Sequence, residues 1–114
     1  MPSIRQEKVA KLIQQELAII FQQHSRDLFG GAFITVTVVR MSPDLGFAKT
    51  FLSFFAPGKG TKEELLEVVR AKSSKIRGIL GNKVGKQLRI VPELAFFIDD
   101  SLDYSEKIDD LLKE

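Results

Sequence analysis

The chain has no cysteine, so it can build neither a disulfide framework nor a thiolate metal site. Histidine is nearly absent as well. His24 stands alone, among polar residues at a predicted helix end, where a histidine serves as a surface residue or cap. No strand–turn–helix nucleophile elbow accompanies it, so a Ser/His/Asp relay has no frame. Long apolar runs are missing too. Leu17–Phe21 is as long as any run gets, far short of the roughly 20 residues of a membrane-spanning helix. The opening MPSIRQEK has no apolar core of the kind a secretory signal needs. There is no internal repeat, low-complexity tract or linker. These absences lead to the expectation of a soluble, cytoplasmic chain without metal; no cofactor or small-molecule substrate is expected either, and the chain is expected to be a monomer. At 114 residues it is expected to fold as one domain over 1–114. Such a chain can bury roughly two thirds of its unfolded surface, which suffices for a core without staples.

Charge is present, and it is segregated. The formal net charge is +2. Between Arg70 and Arg89 stand seven basic residues and no acidic one: Arg70, Lys72, Lys75, Arg77, Lys83, Lys86 and Arg89. From Glu93 to Glu114 the sign reverses, with eight acidic residues against Lys107 and Lys113. A basic stripe of this kind suits a polyanion; a solvated helix face would have the same composition.

Periodicity supplies the elements. Val9, Ile13, Leu17 and Ile20 form one apolar stripe and predict a helix over 4–23, with Lys8, Lys11 and Gln15 on a different face. Gly30 and Gly31 follow as stops. FITVTVVR (33–40) and FAKTFLSFF (47–55) read as strands. MSPDLG between them carries the turn residues Pro43, Asp44 and Gly46, so the two strands form an antiparallel hairpin. Thr61 and Glu64 match a capping box, and Glu63, Glu64 and Glu67 suit the positive end of the helix they open. Leu65, Val69, Ile76 and Leu80 share a face that Lys72 and Ser73 interrupt, with Ser74 next. This predicts two helices, about 61–72 and 74–84, with a kink between them. GNKVGK (81–86) ends the second. A third strand is expected over about 89–99, parallel to the first, then a short acidic helix over 102–114 carrying Ile108, Leu111 and Leu112.

The expected fold is α+β, in the order α-β-β-α-(kink)-α-β: a three-stranded mixed sheet with helices on one face. That order is the order of a type II KH-like RNA-binding domain. LRIVPELAFFIDDS then narrows the reading. It resembles the signature of the ribosome-binding factor A family, in which Arg-x-x-Pro-Glu-Leu-x-Phe leads into the last strand and Asp-Asp-Ser-Leu follows. Here those residues are Arg89, Pro92, Glu93, Leu94, Phe96, Asp99, Asp100, Ser101 and Leu102. RQEKVAKLIQQELAIIF, TVTVVRMSPDLGFAKTFLSF and IRGILGNKVGKQLRI resemble the family's first helix, its hairpin and the second half of its helix pair. One element departs: the family's Ala-x-Gly at the bend between the central helices is here Lys72, Ser73 and Ser74, so neither the alanine nor the glycine sets the bend.

The resemblance implies a non-catalytic factor of ribosome biogenesis. It would bind free or immature small (30S) ribosomal subunits, assist processing and maturation of 16S rRNA and serve adaptation to cold. Lys and Arg contacts to phosphates would supply most of the affinity. The candidate RNA-binding residues are Arg70, Lys72, Lys75, Arg77, Lys83, Lys86 and Arg89, then Lys8 and Lys11. The alternative is a KH-like protein-interaction module that docks through the acidic C-terminal segment without touching RNA. GILG (78–81) matches the GxxG of nucleic-acid-gripping KH loops, but Ile79 and Leu80 continue an apolar helix face, so a buried helix with Ile79 in the core is expected. GNKVGKQ lacks the Ser or Thr of a phosphate loop and precedes a strand. Asp99 and Asp100 have no companion ligands for a metal. The phenylalanines at strand positions, Phe47, Phe51 and Phe55 among them, are expected to pack beneath the helices; exposed, they could stack on bases.

Overall fold

The computed structural model describes residues 3–55, 58, 60–88 and 90–99. Helix α1 spans Ile4–Gln23, strands β1 and β2 span Phe33–Met41 and Phe47–Phe55, helices α2 and α3 span Lys62–Ala71 and Ser73–Val84, and strand β3 spans Glu93–Ile98. The expected helix over 102–114 lies outside the described residues.

Helix α1 starts on a reciprocal cap that local pattern reading passed over. Ser3 Oγ accepts from the Gln6 amide at 3.1 Å, and Gln6 Oε1 accepts from the Ser3 amide at 2.8 Å, which satisfies two of the free donors of the first turn. Val9, Ile13, Leu17, Ile20 and Phe21 make its buried face. His24 closes the helix, its amide donating to Ile20 O at 3.0 Å. Gly30 and Gly31 then take positive φ, 62° and 88°, a region in which a β-carbon is strained.

The hairpin turn is tied by side chains. Asp44 Oδ1 accepts from Ser42 Oγ at 2.6 Å and from the Gly46 amide at 3.1 Å, and Ser42 Oγ accepts from the Phe47 amide at 3.0 Å. The Ser42 hydroxyl, then the Gly46 amide, hold the exposed Asp44 carboxyl below its ordinary pKa of 3.8. Its contribution to the turn is therefore complete above about pH 4 and fades as pH falls through the lowered value.

The sheet order is β1-β2-β3, with β1 antiparallel and β3 parallel to β2. The expectation that β3 would run parallel to β1 is therefore corrected: it runs antiparallel to β1. The two central helices do not each reverse the chain; together they form one crossover from the end of β2 to the start of β3, and such a crossover returns a strand in the same direction. The third strand is also shorter than expected, beginning at Glu93 and not at residue 89.

Helix α1 packs on β1, α2 on β3, and α3 against α1. Ile34, Val36, Val39 and Met41 of β1, Ala48, Thr50 and Leu52 of β2, and Phe96 of β3 are buried beneath them. Leu65, Val69, Ile76 and Leu80 are buried as expected, but Ile79 is only partly buried against the core. It sits on the flank of α3, off the Ile76–Leu80–Val84 line.

The phenylalanines require a larger correction. Phe47, Phe51 and Phe55 alternate with the inward positions Ala48, Leu52 and Phe54 and lie on the face away from the helices, as do Phe33 and Phe97. Phe33 and Phe55 are 72% and 68% exposed.

Polar side chains from the helices reach both sheet edges. On β1, Gln6 Nε2 donates to Met41 O at 3.1 Å, and Gln14 Nε2 donates to Val36 O and Thr37 O at 3.3 and 3.1 Å, where the register shifts between Val36 and Val38. Exposed edge carbonyls invite strand addition, and these amides cover them. One buried polar atom is left over among the described residues: Thr50 Oγ1 is buried without a hydrogen-bond partner. An unpaired buried hydroxyl destabilises, so Thr50→Val is expected to raise stability by about 1 kcal/mol. An unchanged or lowered urea midpoint would show that Thr50 has a partner in solution.

Candidate nucleic-acid interface

The basic stripe divides in space. Helix α2 ends at Ala71, and Lys72, with φ −105° and ψ 13°, is both its C-cap and the N-cap of α3. The break thus falls where the polar interruption predicts it, in a backbone conformation that needs no glycine. Lys72 N donates to Val69 O at 3.0 Å, and Ile76 N picks up Lys72 O at 2.9 Å to restart the helical ladder.

Arg70 and Arg77 are engaged with the protein. Arg70 Nε and Nη2 donate to Phe96 O at 3.2 and 2.8 Å, Nη1 lies 3.5 Å from Glu67 Oε1, and the guanidinium sits 5.9 Å from the centre of the Phe97 ring. Arg77 Nε donates to Pro92 O at 3.1 Å and Nη2 to Val91 O at 2.7 Å. The Glu93 amide donates to Gly46 O, just before β2, and the Asp99 amide, just after β3, donates to Leu52 O of β2, so the odd-numbered backbone groups of β3 point to β2, and the carbonyl of Phe96 lies on the free edge. The two arginines fasten α2 and α3 to that edge and its lead-in. Pro92 is buried there; with no N–H to place, it fits the outer side of a strand entrance. Together these contacts account for the unusual approach to β3 through Val-Pro-Glu.

The lysines lie on the other flank. Lys75 and Arg77 are about 160° apart around the helix axis, whereas Lys75 and Lys83 fall within about 80° of each other and about 12 Å apart along it. Lys75, Lys83 and Lys86 are exposed, and Lys72 is half-buried at the break. They form one row along α3, beside α1. At one end of that row lies the Asp27 carboxylate, held below its ordinary pKa chiefly by the 3.0 Å bond with His24 Nδ1 and further by the charge of Lys75. At the other end, the first turns of α1 meet the segment after α3: Arg5, Val9, Asp44, Leu45, Gln87 and Ile90 line a cleft of about 390 Å³. Helix α3 therefore runs antiparallel to α1 and carries Lys83 and Lys86 toward the α1 N-terminus, where Arg5, Lys8 and Lys11 are all exposed. Arg5 was missed by the sequence reading, because nothing local links position 5 to position 87. Arg89 lies outside the described residues.

GILG is helical, within α3. A β-carbon on Gly81 would come 3.3 Å from Val91 Cγ2, whereas one on Gly78 would meet nothing within 4 Å. Gly78→Ala is therefore expected to stabilise the protein by about 0.5–1 kcal/mol through helix propensity. A fall in the urea midpoint would show that the helix is not continuous there. Among the described residues no group of three or more His, Asp or Glu side chains could hold a metal, and no helix is long and apolar enough to cross a membrane.

Comparison with known proteins agrees with the fold. A sequence profile described as ribosome-binding factor A matches residues 5–112. Ribosome-binding factor A of Cytophaga hutchinsonii is 46% identical over 114 residues, covering 100% of this chain and 84% of that protein. The crystal structure of ribosome-binding factor A from Thermus thermophilus superposes with a TM-score of 0.67 at 19% identity, over 82% of this chain and 94% of that one. A homology model of the Thermus thermophilus factor, fitted into a cryo-EM map of its 30S complex, has a TM-score of 0.61 at 21% identity, over 80% and 91% of the two chains.

Proposed function

The chain belongs to the ribosome-binding factor A family, and on that premise we propose that it is a non-catalytic, cytoplasmic, monomeric factor that binds small ribosomal subunits through 16S rRNA during their maturation. The observation that carries the proposal is the lysine row. Lys72, Lys75, Lys83 and Lys86 follow one flank of α3 in a stretch without a single acidic residue, and Arg5, Lys8 and Lys11 are exposed on the neighbouring helix α1. A linear array of flexible cations recognises a phosphate backbone by position and charge. Arg70 and Arg77 are assigned to holding β3, with their remaining donors free to add to the field. That a 30S complex exists for the Thermus thermophilus factor supports the choice of the small subunit as partner.

Co-sedimentation with purified small and large subunits over a salt series tests the reading. The protein is expected to pellet with small subunits and not with large ones, with affinity falling steeply as salt rises. Equal binding to both subunits would overturn the small-subunit assignment, and binding that survives high salt and RNase treatment would instead place the contact on protein.

A further inference from the structure

Phosphate binding does not account for the cleft between the start of α1, the hairpin turn and the segment after α3. Its walls carry the apolar side chains of Leu45, Leu88 and Ile90, with Arg5, Asp44 and Gln87 among them. The volume, about 390 Å³, lies in the range of sites that take small planar ligands, and apolar walls with a few polar groups are the usual lining of such sites. The charge within the cleft is balanced, one arginine against one aspartate, so it suits a neutral group and not an anion.

We propose, resting on the RNA-binding reading above, that this cleft receives one unstacked base of the RNA whose phosphates lie along the lysine row, and that it prefers a base with an exocyclic amine, such as cytosine, over uracil. Position is the first argument. Gln87, in the wall, follows Lys86 directly in sequence, and Arg5, also in the wall, is one of the exposed cations of α1. Cations at the mouth hold phosphates, while the interior offers apolar surface and hydrogen-bonding groups. That arrangement matches a nucleotide of single-stranded RNA, charged outside and flat and neutral within.

The acceptor is the second argument. Asp44 Oδ1 is taken by the Ser42 hydroxyl and the Gly46 amide, whereas Oδ2 has no hydrogen-bond partner among the described residues. Gly46 leaves the carboxylate uncovered: a β-carbon there would stand 3.4 Å from both of its oxygens. An ionised carboxylate can only accept, so it bonds the 4-amino group of cytosine and repels the carbonyl oxygen that uracil carries at the same position. The third argument is the fixed wall. Leu45 takes a φ of 61°, where glycine would be less strained; leucine instead provides apolar surface against which a flat ring can lie. Backbone bonds of 2.9 Å hold the walls from behind, Leu45 N to Ser42 O, Leu88 N to Val84 O and Glu93 N to Gly46 O. Little ordering is therefore left to be done on binding.

Oligocytidine and oligouridine of equal length, titrated against the full chain over a salt series, test the proposal. Oligocytidine is expected to bind severalfold more tightly, with one salt slope for both, because the phosphates are common to the two and the base is not. Combining Gln87→Ala with Ile90→Ala, both exposed, should abolish the preference and leave the slope unchanged. Asp44→Asn should go further and invert it. The amide oxygen can still accept from Ser42 and Gly46, while an N–H donor takes the place of Oδ2 and now suits the uracil carbonyl. If that variant loses its turn, seen as a lowered urea midpoint, the Gln87/Ile90 pair keeps the test decisive. Equal, salt-dependent affinity for the two oligonucleotides in the unaltered chain would overturn the proposal and leave the RNA-binding reading standing. So would a cytosine preference that survives both sets of substitutions, which would put base recognition elsewhere, with the exposed phenylalanines of the sheet the next candidates. No salt-dependent binding to either oligonucleotide, and no co-sedimentation with small subunits, would remove the reading and the proposal with it.

Discussion

Phe21→Ala is expected to cost about 3–5 kcal/mol, the range for removing a fully packed aromatic ring and leaving a cavity. Phe21 is 1% exposed. Its ring centre lies 5.2 Å from that of Phe29, tilted by 45°, and 6.1 Å from that of Phe96, edge-on at 81°. One side chain therefore joins the end of α1, the loop before β1 and the middle of β3. Removing it empties a site bounded by three separate parts of the chain, so no single element can move in to fill it. Since domains of this size are stable by only about 5–15 kcal/mol in total, the variant loses a large share of its stability. Phe21→Leu keeps most of the volume without the ring geometry, so it should fall well short of the alanine effect. Urea melts with an unchanged slope and a lower midpoint would establish the order. A cost below about 1.5 kcal/mol for Phe21→Ala would mean that the neighbours collapse into the gap and that this junction is not rigid.

Phe21 also shows how far the sequence could be read. The stripe Val9–Ile13–Leu17–Ile20 set the direction of the α1 inner face, and Phe21 widens that face by one residue without changing it. Local rules sufficed for α1, α2 and α3, the hairpin and the break at Lys72, because each is decided by residues within a few positions of one another. They failed where two apolar patterns compete. In FAKTFLSFF both parities carry apolar residues, and the larger ones suggested the core. The register decided otherwise: Met41, Val39 and Val36 pair with Ala48, Thr50 and Leu52, so the smaller residues of β2 lie inward beneath the helices. The direction of β3 failed for a related reason, since a kinked helix pair that acts as one crossover is not visible in any single window.

The candidate site was legible as composition and not as geometry. Seven cations without an anion stood out at once, but Arg70 and Arg77 find their carbonyl partners 26 and 15 positions away. No spacing rule separates a cation bound to the protein's own backbone from one free to meet a phosphate. The same distance in sequence hid Arg5.

Replacing Lys83 and Lys86 together by alanine is expected to weaken binding to small subunits by one to two orders of magnitude at moderate salt, with the fold intact. Both side chains are exposed, Lys83 in the last turn of α3 and Lys86 in the turn that follows. Neither supplies core surface: Ile76, Leu80 and Val84 do that for α3. What they supply is charge at the end of the row nearest Arg5 and Lys8. Each lysine that neutralises a phosphate releases counterions. The slope of log K against log salt should therefore fall by roughly 0.7–0.9 for each phosphate no longer neutralised, about 1.5 for the pair. Arg77→Ala should behave differently. It strips two backbone carbonyls of their donors, so it should lower the urea midpoint and change the salt slope little. Replacing Asp109 and Asp110 by Asn removes negative charge and should leave subunit binding unchanged or slightly tighter. A protein-docking role for the acidic segment reverses this order, with a large effect from the Asp pair and little from the lysines. Sedimentation over a salt series separates the two, and an unchanged slope for the folded lysine variant would move the phosphate contacts to Arg5, Lys8 and Lys11 on α1.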